Sequence, residues 1–289
     1  MPMGKLPPIE IVTREEYEAD EREAATLGVP LCKLRDHAVV AYDTRRHRLR
    51  DHVLACLGMS CSGDPEVDGA SLEALRAPEE NPDPHHRRIQ RSGYRGPSTF
   101  YIKKWYCGTR APAKTGKDFD DAYIDFVRSV VLPHINDPQG IVFQRRPTFR
   151  CHVAHGGEAT GKVHNDSQYG HSRKELNFWL PLTRTVGTNS LFCESSPGAK
   201  DFAPFELHYG QCQRFWGAQC VHYTEANDTD FTRVSLDFRV LPRACHTDGT
   251  GFRRQFSLGC FFAALDAEGR LSHWGDQDQP NGEDDSAKA

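Results

Sequence analysis

A long series of short, strand-like segments fills the chain from residue 141 to residue 264. We place the segments at 141–144, 148–153, 162–164, 176–182, 190–194, 206–209, 213–216, 221–223, 233–240 and 256–264. Turn-forming residues separate them, and the section that precedes them has mainly helical patterns. Regularly spaced short strands of this kind are typical of a β-sandwich or a jelly roll. The sequence therefore predicts a mainly β fold with flanking helices, of the α+β class.

Helices are predicted ahead of these strands. Thr13 and Glu16 form a capping box, which starts a helix that ends near Leu27. Apolar residues recur at helical spacing over 44–57 and, more clearly, over 118–135. Further short strands are predicted at 38–42 and 98–103.

Composition divides the chain into three parts. Residues 1–140 are predicted to be a helical and loop extension that packs on a core formed by residues 141–265, and together these make one domain. Within the extension, residues 59–98 are rich in Pro, Gly, Ser and charge, with a short helix near 71–76. That long loop is either a lid or a plain surface insertion. Residues 266–289 have almost no apolar content, and we expect a poorly ordered tail.

Charge and hydropathy exclude several classes of partner. The net charge of −4 gives no basic footprint for nucleic acid. No apolar run approaches the roughly 20 residues that span a bilayer, and the first ten residues lack the apolar core of a signal peptide. The 10 cysteines are scattered, without a Cys-x-x-Cys pair. We expect reduced thiols in a cytoplasmic protein, whose oligomeric state the sequence leaves open.

One tripeptide within the strand region carries chemistry. In His164-Asn165-Asp166, the imidazole and the carboxylate are two residues apart, and on a strand they point to the same face. Two such side chains are two of the three ligands of a 2-His-1-carboxylate site, which leaves other metal positions open. A lone copy of this tripeptide also occurs in ordinary polar loops, so a third ligand is needed.

Downstream residues supply that ligand and an anchor for an anion. His222 follows after enough strands for a later one to return beside His164. Arg233 and Ser235 then share one face of a strand. Because a guanidinium binds a carboxylate with two hydrogen bonds and a hydroxyl adds a third donor, this pair can hold the distal carboxylate of a dicarboxylic acid.

This four-part pattern resembles that of the Fe(II)/2-oxoglutarate-dependent oxygenases. Longer strings within 141–242 resemble more narrowly the hydroxylase family of streptomycin biosynthesis. The strings are Val163–His171, Glu175–Leu182, Asn189–Gly198 and Arg214–Gly217.

The resemblance implies a double-stranded β-helix core, also called a jelly roll and related to the cupins. Fe(II) would be bound by His164, Asp166 and His222, which would be both the metal ligands and the catalytic residues. 2-Oxoglutarate would chelate the iron and reach Arg233 and Ser235, and O2 would be the second cosubstrate. The expected reaction is hydroxylation of an unactivated C–H bond in a small polar molecule, with release of succinate and CO2.

Other polar residues are candidates for binding. Asn177 interrupts an apolar strand, and it either faces the cosubstrate or has a structural role. Candidate substrate contacts lie on the strand before the metal ligands, in the loop after them, and at one later acidic position that could meet a cationic group: Arg150, His152, Gln168, Tyr169, His171 and Glu194.

Two other functions share part of this pattern. A redox-neutral metal cupin, such as a sugar isomerase or epimerase, would use the barrel and the histidines, but it has no need of Arg233 and Ser235. A non-catalytic carbohydrate-binding jelly roll would tolerate loss of any one ligand. Both remain alternatives to a hydroxylase acting on an amino acid, a sugar or cyclitol, or a natural-product intermediate.

Overall fold

The computed structural model describes residues 7–77, 98–110, 114–156, 161–246 and 256–274. The helices are α1 Arg14–Thr26, α2 Leu31–Arg35, α3 Leu49–Cys56, α4 Pro65–Glu73, α5 Ser98–Arg110, α6 Lys114–Phe126 and α7 Leu132–Ile135, with a π-helical turn at Val127–Val131. The strands are β1 Ala38–Ala41, β2 Ile141–Gln144, β3 Thr148–His152, β4 Leu176–Pro181, β5 Phe192–Cys193, β6 Ala203–Pro204, β7 Gln211–Phe215, β8 His222–Tyr223, β9 Arg233–Pro242, β10 Phe262–Leu265 and β11 Leu271–Ser272.

The strands form a larger and a smaller antiparallel sheet. The larger sheet has the order β1-β7-β4-β9-β2-β10-β11, and β3 pairs with β9 beside β2. The smaller sheet has the order β6-β5-β8. In both sheets some neighbouring strands are not consecutive in the chain, and residues from both sheets surround one cavity. The fold is therefore a double-stranded β-helix core with flanking helices.

Alternation along β9 explains how the core and the cavity are separated. The even-numbered residues Val234, Leu236 and Phe238 are fully buried in the main apolar cluster. Phe238 packs 5.3 Å from the Tyr123 ring of α6 and 5.4 Å from the Phe178 ring of β4. Each such aromatic burial contributes roughly 1.5–3 kcal/mol. The odd-numbered residues from Arg233 to Arg239 are polar and point to the opposite face.

Several sequence-based predictions are confirmed. The helix after Thr13 has the expected capping box with Glu16. The helix predicted over 118–135 is present as α6, the π-helical turn and α7. Strands are found within eight of the ten segments predicted after residue 140, although β5 and β8 have only two residues each.

Other predictions are wrong. Residues 98–103 begin α5 rather than a strand, with Tyr101 and Trp105 buried on one helical face. Residues 206–209 are not a strand, because Leu207 forms its backbone hydrogen bonds with the Thr185 amide and hydroxyl. The helix predicted near 71–76 is α4, which starts earlier, at Pro65.

The predicted lid and tail lie largely outside the described residues. This holds for 78–97, within the long loop, and for 275–289. The described part of the tail corrects the prediction, because β11 pairs with β10 at the edge of the larger sheet. Among the described residues, no helix is both long and apolar enough to cross a membrane. The division into domains remains a prediction.

Candidate metal centre

The two histidines of the sequence pattern lie directly opposite each other. His164 and His222 exchange both backbone hydrogen bonds, at 3.2 and 2.9 Å, as an isolated antiparallel bridge. This bridge adds residue 164 to the edge of the smaller sheet, beside β8. The prediction of a strand at 162–164 is therefore met by a single bridge. It places the two imidazole rings with their centroids 4.3 Å apart.

Asp166 completes the group from a different local structure. It starts a short 3-10 helix, Asp166–Tyr169, so the shared strand face predicted for His164 and Asp166 is wrong. Its N–H donates to the Gly217 carbonyl at 2.9 Å, which holds the residue against the turn after β7. Its Oδ1 lies 3.5 Å from Nε2 of His164 and 3.7 Å from Nε2 of His222.

These donor atoms fit a metal ion. One ligand atom from each of His164, Asp166 and His222 lies within 4.8 Å of the other two. Oδ1 of Asp166 is buried and accepts no hydrogen bond from any described residue. A buried carboxylate oxygen in that state costs free energy unless a cation meets it. Two imidazoles and one carboxylate form the 2-His-1-carboxylate set that suits Fe(II) and leaves positions for other ligands.

The backbone orients both imidazoles. Nδ1 of His164 lies 2.5 Å from the Lys162 carbonyl, and Nδ1 of His222 lies 3.0 Å from the Cys220 carbonyl. A proton on each Nδ1 makes these hydrogen bonds and leaves the Nε2 lone pairs directed at Asp166. Burial, and next the electrostatic effect of the adjacent His164 side chain, lower the pKa of His222 to about 4. His222 is therefore a neutral ligand at neutral pH.

The other carboxylate oxygen of Asp166 is held by two side chains. Arg239 donates to Oδ2 through Nε at 3.1 Å and Nη2 at 2.9 Å, and Asn177 donates through Nδ2 at 2.7 Å. Burial alone would raise the pKa of Asp166, but the Arg239 guanidinium and the nearby histidines hold it well below its usual range. The carboxylate is thus ionised, and its free oxygen faces the histidines.

Sequence reasoning missed Arg239 and its neighbour Asp237. Arg239 also donates through Nη1 to Asp237 at 3.0 Å, and Arg150 donates to the other Asp237 oxygen at 3.2 Å. Both missed residues continue the period of two set by Arg233 and Ser235 along β9. That periodicity was the available signal, since a polar residue at every second position of a buried strand marks one polar face.

Arg233 and Ser235 lie on the same inner face, away from the metal ligands. Arg233 is only 1% exposed, and its guanidinium lies 5.5 Å from the Trp179 ring. Burial, together with the neighbouring Arg150 charge, lowers the pKa of Arg233 to about 10. Oγ of Ser235 is buried and has no hydrogen-bond partner among the described residues. A carboxylate placed here would gain a cation and a hydroxyl donor.

One cavity joins the two groups. Its volume, including the open mouth, is about 470 Å³. It is lined by both histidines, by the inner faces of β3, β4, β7 and β9, and by the smaller sheet: Arg150, Gly161, His164, Asn177, Trp179, Leu191, Phe215, His222, Tyr223, Thr224, Arg233, Asp237 and Arg239.

The predicted substrate residues separate into two groups. Arg150 lines the cavity, and the Tyr169 ring lies 5.2 Å from the His164 ring and is 39% exposed. His152 is buried opposite Arg233 in the β3–β9 register, but it does not line the cavity. Arg150 and Tyr169 are thus the predicted residues placed where a substrate could reach them.

Gln168, His171 and Glu194, also predicted as substrate contacts, are engaged by other parts of the protein. The Gln168 amide accepts from the Asn165 N–H at 3.2 Å and donates to the Pro7 carbonyl. His171 pairs with buried Glu175 at 2.7 Å and packs against Phe256. The Glu194 carboxylate accepts from the backbone N–H groups of Val221 and Lys200, at 2.8 and 3.0 Å. None of the three lines the cavity, because each one ties loops together.

Comparisons with solved structures give only weak likenesses. A non-heme monooxygenase, ThoJ in complex with Ni, is 17% identical with a TM-score of 0.43, over 77% of this chain and 86% of that chain. A Trichoplax adhaerens prolyl hydroxylase, in complex with a hypoxia inducible factor peptide, is 10% identical with a TM-score of 0.40, over 81% of this chain and 96% of that chain. At these TM-scores and identities, neither structure indicates the activity of this chain.

Sequence comparison gives a closer relationship. No protein-family model matches the chain. The streptomycin biosynthesis protein StrG of Streptomyces griseus is 30% identical over 224 residues, which are 76% of this chain and 94% of StrG. The matched length is nearly the whole of that protein. The chain therefore belongs to the same protein family as StrG.

Proposed function

We propose that the chain is an Fe(II)- and 2-oxoglutarate-dependent dioxygenase that hydroxylates an unactivated C–H bond of a small polar molecule. The observation that carries this proposal is the pairing of two groups in one cavity. His164, Asp166 and His222 converge at one place, and the cavity that both histidines line is also lined by Arg233, which shares a strand face with Ser235. A redox-neutral metal cupin needs only the first group.

The protein's own residues would bind the metal and fix the orientation of its carboxylate ligand. When bound, Fe(II) supplies O2 activation coupled to oxidative decarboxylation of 2-oxoglutarate to succinate and CO2. His164 and His222 offer nitrogen donors, and Asp166 offers one negative oxygen. Arg239 and Asn177 keep the other oxygen of Asp166 engaged, so that the carboxylate stays in one orientation.

Cosubstrate binding is assigned to the far part of the cavity. The guanidinium of Arg233 and the hydroxyl of Ser235 would hold the carboxylate of 2-oxoglutarate that is remote from the metal. Phe215 and Trp179 line the cavity between sheets, and both are almost fully buried. Such apolar walls exclude water from the reacting groups.

The substrate is proposed to be small and polar. A volume of about 470 Å³ is in the range of small-molecule sites. Arg150 and Tyr169 are the candidate contacts. Arg150 lies on the cavity wall, and the Tyr169 ring lies beside the His164 ring. An amino acid, a sugar or cyclitol, or a natural-product intermediate would meet these requirements. The printed name of StrG places that relative in streptomycin biosynthesis, which favours a biosynthetic substrate here as well.

Anaerobic titration tests the reaction class. Adding Fe(II) and 2-oxoglutarate to the wild-type protein is expected to give a weak visible charge-transfer band, and His222→Ala should abolish it. Admitting O2 should then release succinate. The assignment fails if the wild type gives no band, or if His222→Ala leaves the band unchanged. Fe(II) binding by the wild type without a band on addition of 2-oxoglutarate would favour the redox-neutral alternative.

A further inference from the structure

An N-terminal strap, residues 7–12, lies against the loop that contains two of the proposed metal ligands. Its hydrogen bonds to that region are made through its backbone. Nδ2 of Asn165 donates to the Glu10 carbonyl at 3.0 Å, and Nε2 of Gln168 donates to the Pro7 carbonyl. The Val12 N–H donates to Oε1 of Gln219 at 2.6 Å. The amide side chains of Asn165, Gln168 and Gln219, which lie in or beside the ligand loop, thus form hydrogen bonds with the strap.

These amides are built into the ligand loop itself. Asn165 stands between His164 and Asp166 and is 0% exposed. It also caps the short helix that Asp166 starts, by exchanging hydrogen bonds with Gln168. Its side chain therefore links the strap to the backbone that carries both ligands.

Gln219 provides the second link. Its Oε1 accepts from the strap, and its Nε2 donates to Oγ of Ser167 at 2.9 Å. Ser167 Oγ in turn donates to the Ala218 carbonyl at 2.7 Å, next to the Gly217 carbonyl that accepts from the Asp166 N–H. Gln219 is 2% exposed, so these hydrogen bonds are shielded from water.

The strap itself buries little apolar surface. Ile9 and Ile11 are 38% and 43% exposed, and Val12 alone packs, partly buried, against the apolar cluster that contains Trp216, so the backbone hydrogen bonds carry most of the strap's contacts with the ligand loop. We propose that the strap is a positioning element, and that Asn165 and Gln219 are positioning residues. Together they hold the 164–169 loop in the geometry that brings the His164 and Asp166 donors together. The inference about metal binding rests on the proposed function, whereas the inference about the loop does not.

Amide hydrogen exchange on the metal-free, full-length protein tests directly whether the strap holds the 164–169 loop. Val12→Pro removes the N–H that Gln219 accepts, and Val12→Ala is the matched control that shortens the side chain but keeps that N–H. Gln219→Met, nearly isosteric, removes both links of the amide. Val12→Pro and Gln219→Met are expected to speed exchange of residues 165–170 by roughly threefold to tenfold, the equivalent of about one lost hydrogen bond. Val12→Ala loses some packing but keeps the hydrogen bond, so residues 165–170 should exchange clearly more slowly in it than in Val12→Pro.

Metal affinity gives the second readout. With Co(II) as the probe, Val12→Pro and Gln219→Met should raise the dissociation constant about tenfold, as outer-shell changes do. Circular dichroism and thermal unfolding identify any variant that is not folded. If one of the two is unfolded, the proposal is tested with the other. Unchanged loop exchange in a folded variant overturns the proposal. Faster exchange with unchanged Co(II) affinity overturns the positioning role. If wild type binds no Co(II), the proposed function fails, and exchange still decides whether the strap holds the loop.

Discussion

Arg239 donates two hydrogen bonds to Oδ2 of Asp166, at 3.1 and 2.9 Å, while Oδ1 of the same carboxylate faces the two histidines. The two oxygens therefore have separate tasks. One is held by the guanidinium and by Asn177, and the other is presented to the metal position. Arg239, six positions beyond Arg233 on β9, thus links the strand of the proposed cosubstrate site to the proposed metal ligands.

Removing this guanidinium should weaken metal binding. Arg239→Ala leaves the buried Asp166 carboxylate without its cation, so we expect Fe(II) or Co(II) affinity to fall by about 10- to 100-fold. Arg239→Lys keeps the charge but loses the two-pronged contact, and its affinity should be intermediate. Anaerobic calorimetry measures both constants, with circular dichroism as the check on folding. Equal affinities in wild type and a folded Arg239→Ala protein would contradict this role.

The far end of the cavity should control cosubstrate binding and not metal binding. Arg233→Ala is expected to raise the apparent KM for 2-oxoglutarate by about 10- to 100-fold, the loss typical of charge-assisted hydrogen bonds. Ser235→Ala removes one neutral donor, and the increase should be about 3- to 10-fold. Succinate release measures KM, and Co(II) titration is the control. Equal losses of metal and cosubstrate affinity in Arg233→Ala would argue against this division of tasks.

Gly217 is predicted to be sensitive to a single added methyl group. A Cβ at this position would lie 2.6 Å from Cγ of Asn177, which is closer than packed atoms allow. Gly217→Ala should therefore displace Asn177 from Asp166, lower stability by about 1–3 kcal/mol and weaken Co(II) binding about tenfold. Denaturant unfolding and calorimetry measure the two effects.

A double variant tests the cause of that loss. In an Asn177→Ala background the clash is gone, so Gly217→Ala should cost clearly less stability than it does in wild type. The same cost in both backgrounds would mean that Asn177 is not the neighbour that matters.

Much of the site could be predicted because it is encoded in spacing. His164, Asp166 and His222 are chemically distinctive, and the period of two along β9 placed Arg233 and Ser235 on one face. Arg239 follows from the same period, but an arginine on a strand has no unique partner until the fold brings Asp166 to it. Gln168, His171 and Glu194 each also contact a residue from a distant part of the chain, namely Pro7, Phe256 and Val221, and these contacts could not be predicted from the sequence.

The strand predicted at 98–103 was wrong because it relied on the strand propensity of the individual residues. Thr, Phe, Tyr and Ile favour strands, but Tyr101 and Trp105 are spaced for one helical face, and Trp105 stacks on Phe149 with ring centroids 5.0 Å apart. Tertiary packing on the larger sheet outweighed the preference of the individual residues. A longer window would have included both aromatic residues and favoured the helix.

His134 should make the metal-free fold sensitive to mild acid. Burial lowers its pKa, and the Arg214 guanidinium, 2.7 Å from Nε2, lowers it further. Below the ordinary value of 6.5, the unfolded chain binds a proton that the folded chain resists. The free energy of unfolding must therefore fall as pH drops below that value, and it recovers as pH rises.

His134→Gln isolates this contribution, because glutamine offers Arg214 an acceptor oxygen that does not titrate in this range. We expect its Tm to fall less than that of wild type between about pH 7.5 and pH 5.5, by about 2 °C, although other buried histidines still contribute. Thermal unfolding of both proteins, stripped of metal, gives the comparison. Parallel pH profiles for the two would show that His134 takes up its proton as readily in the folded chain as in the unfolded one, and that its contact with Arg214 is not maintained in solution.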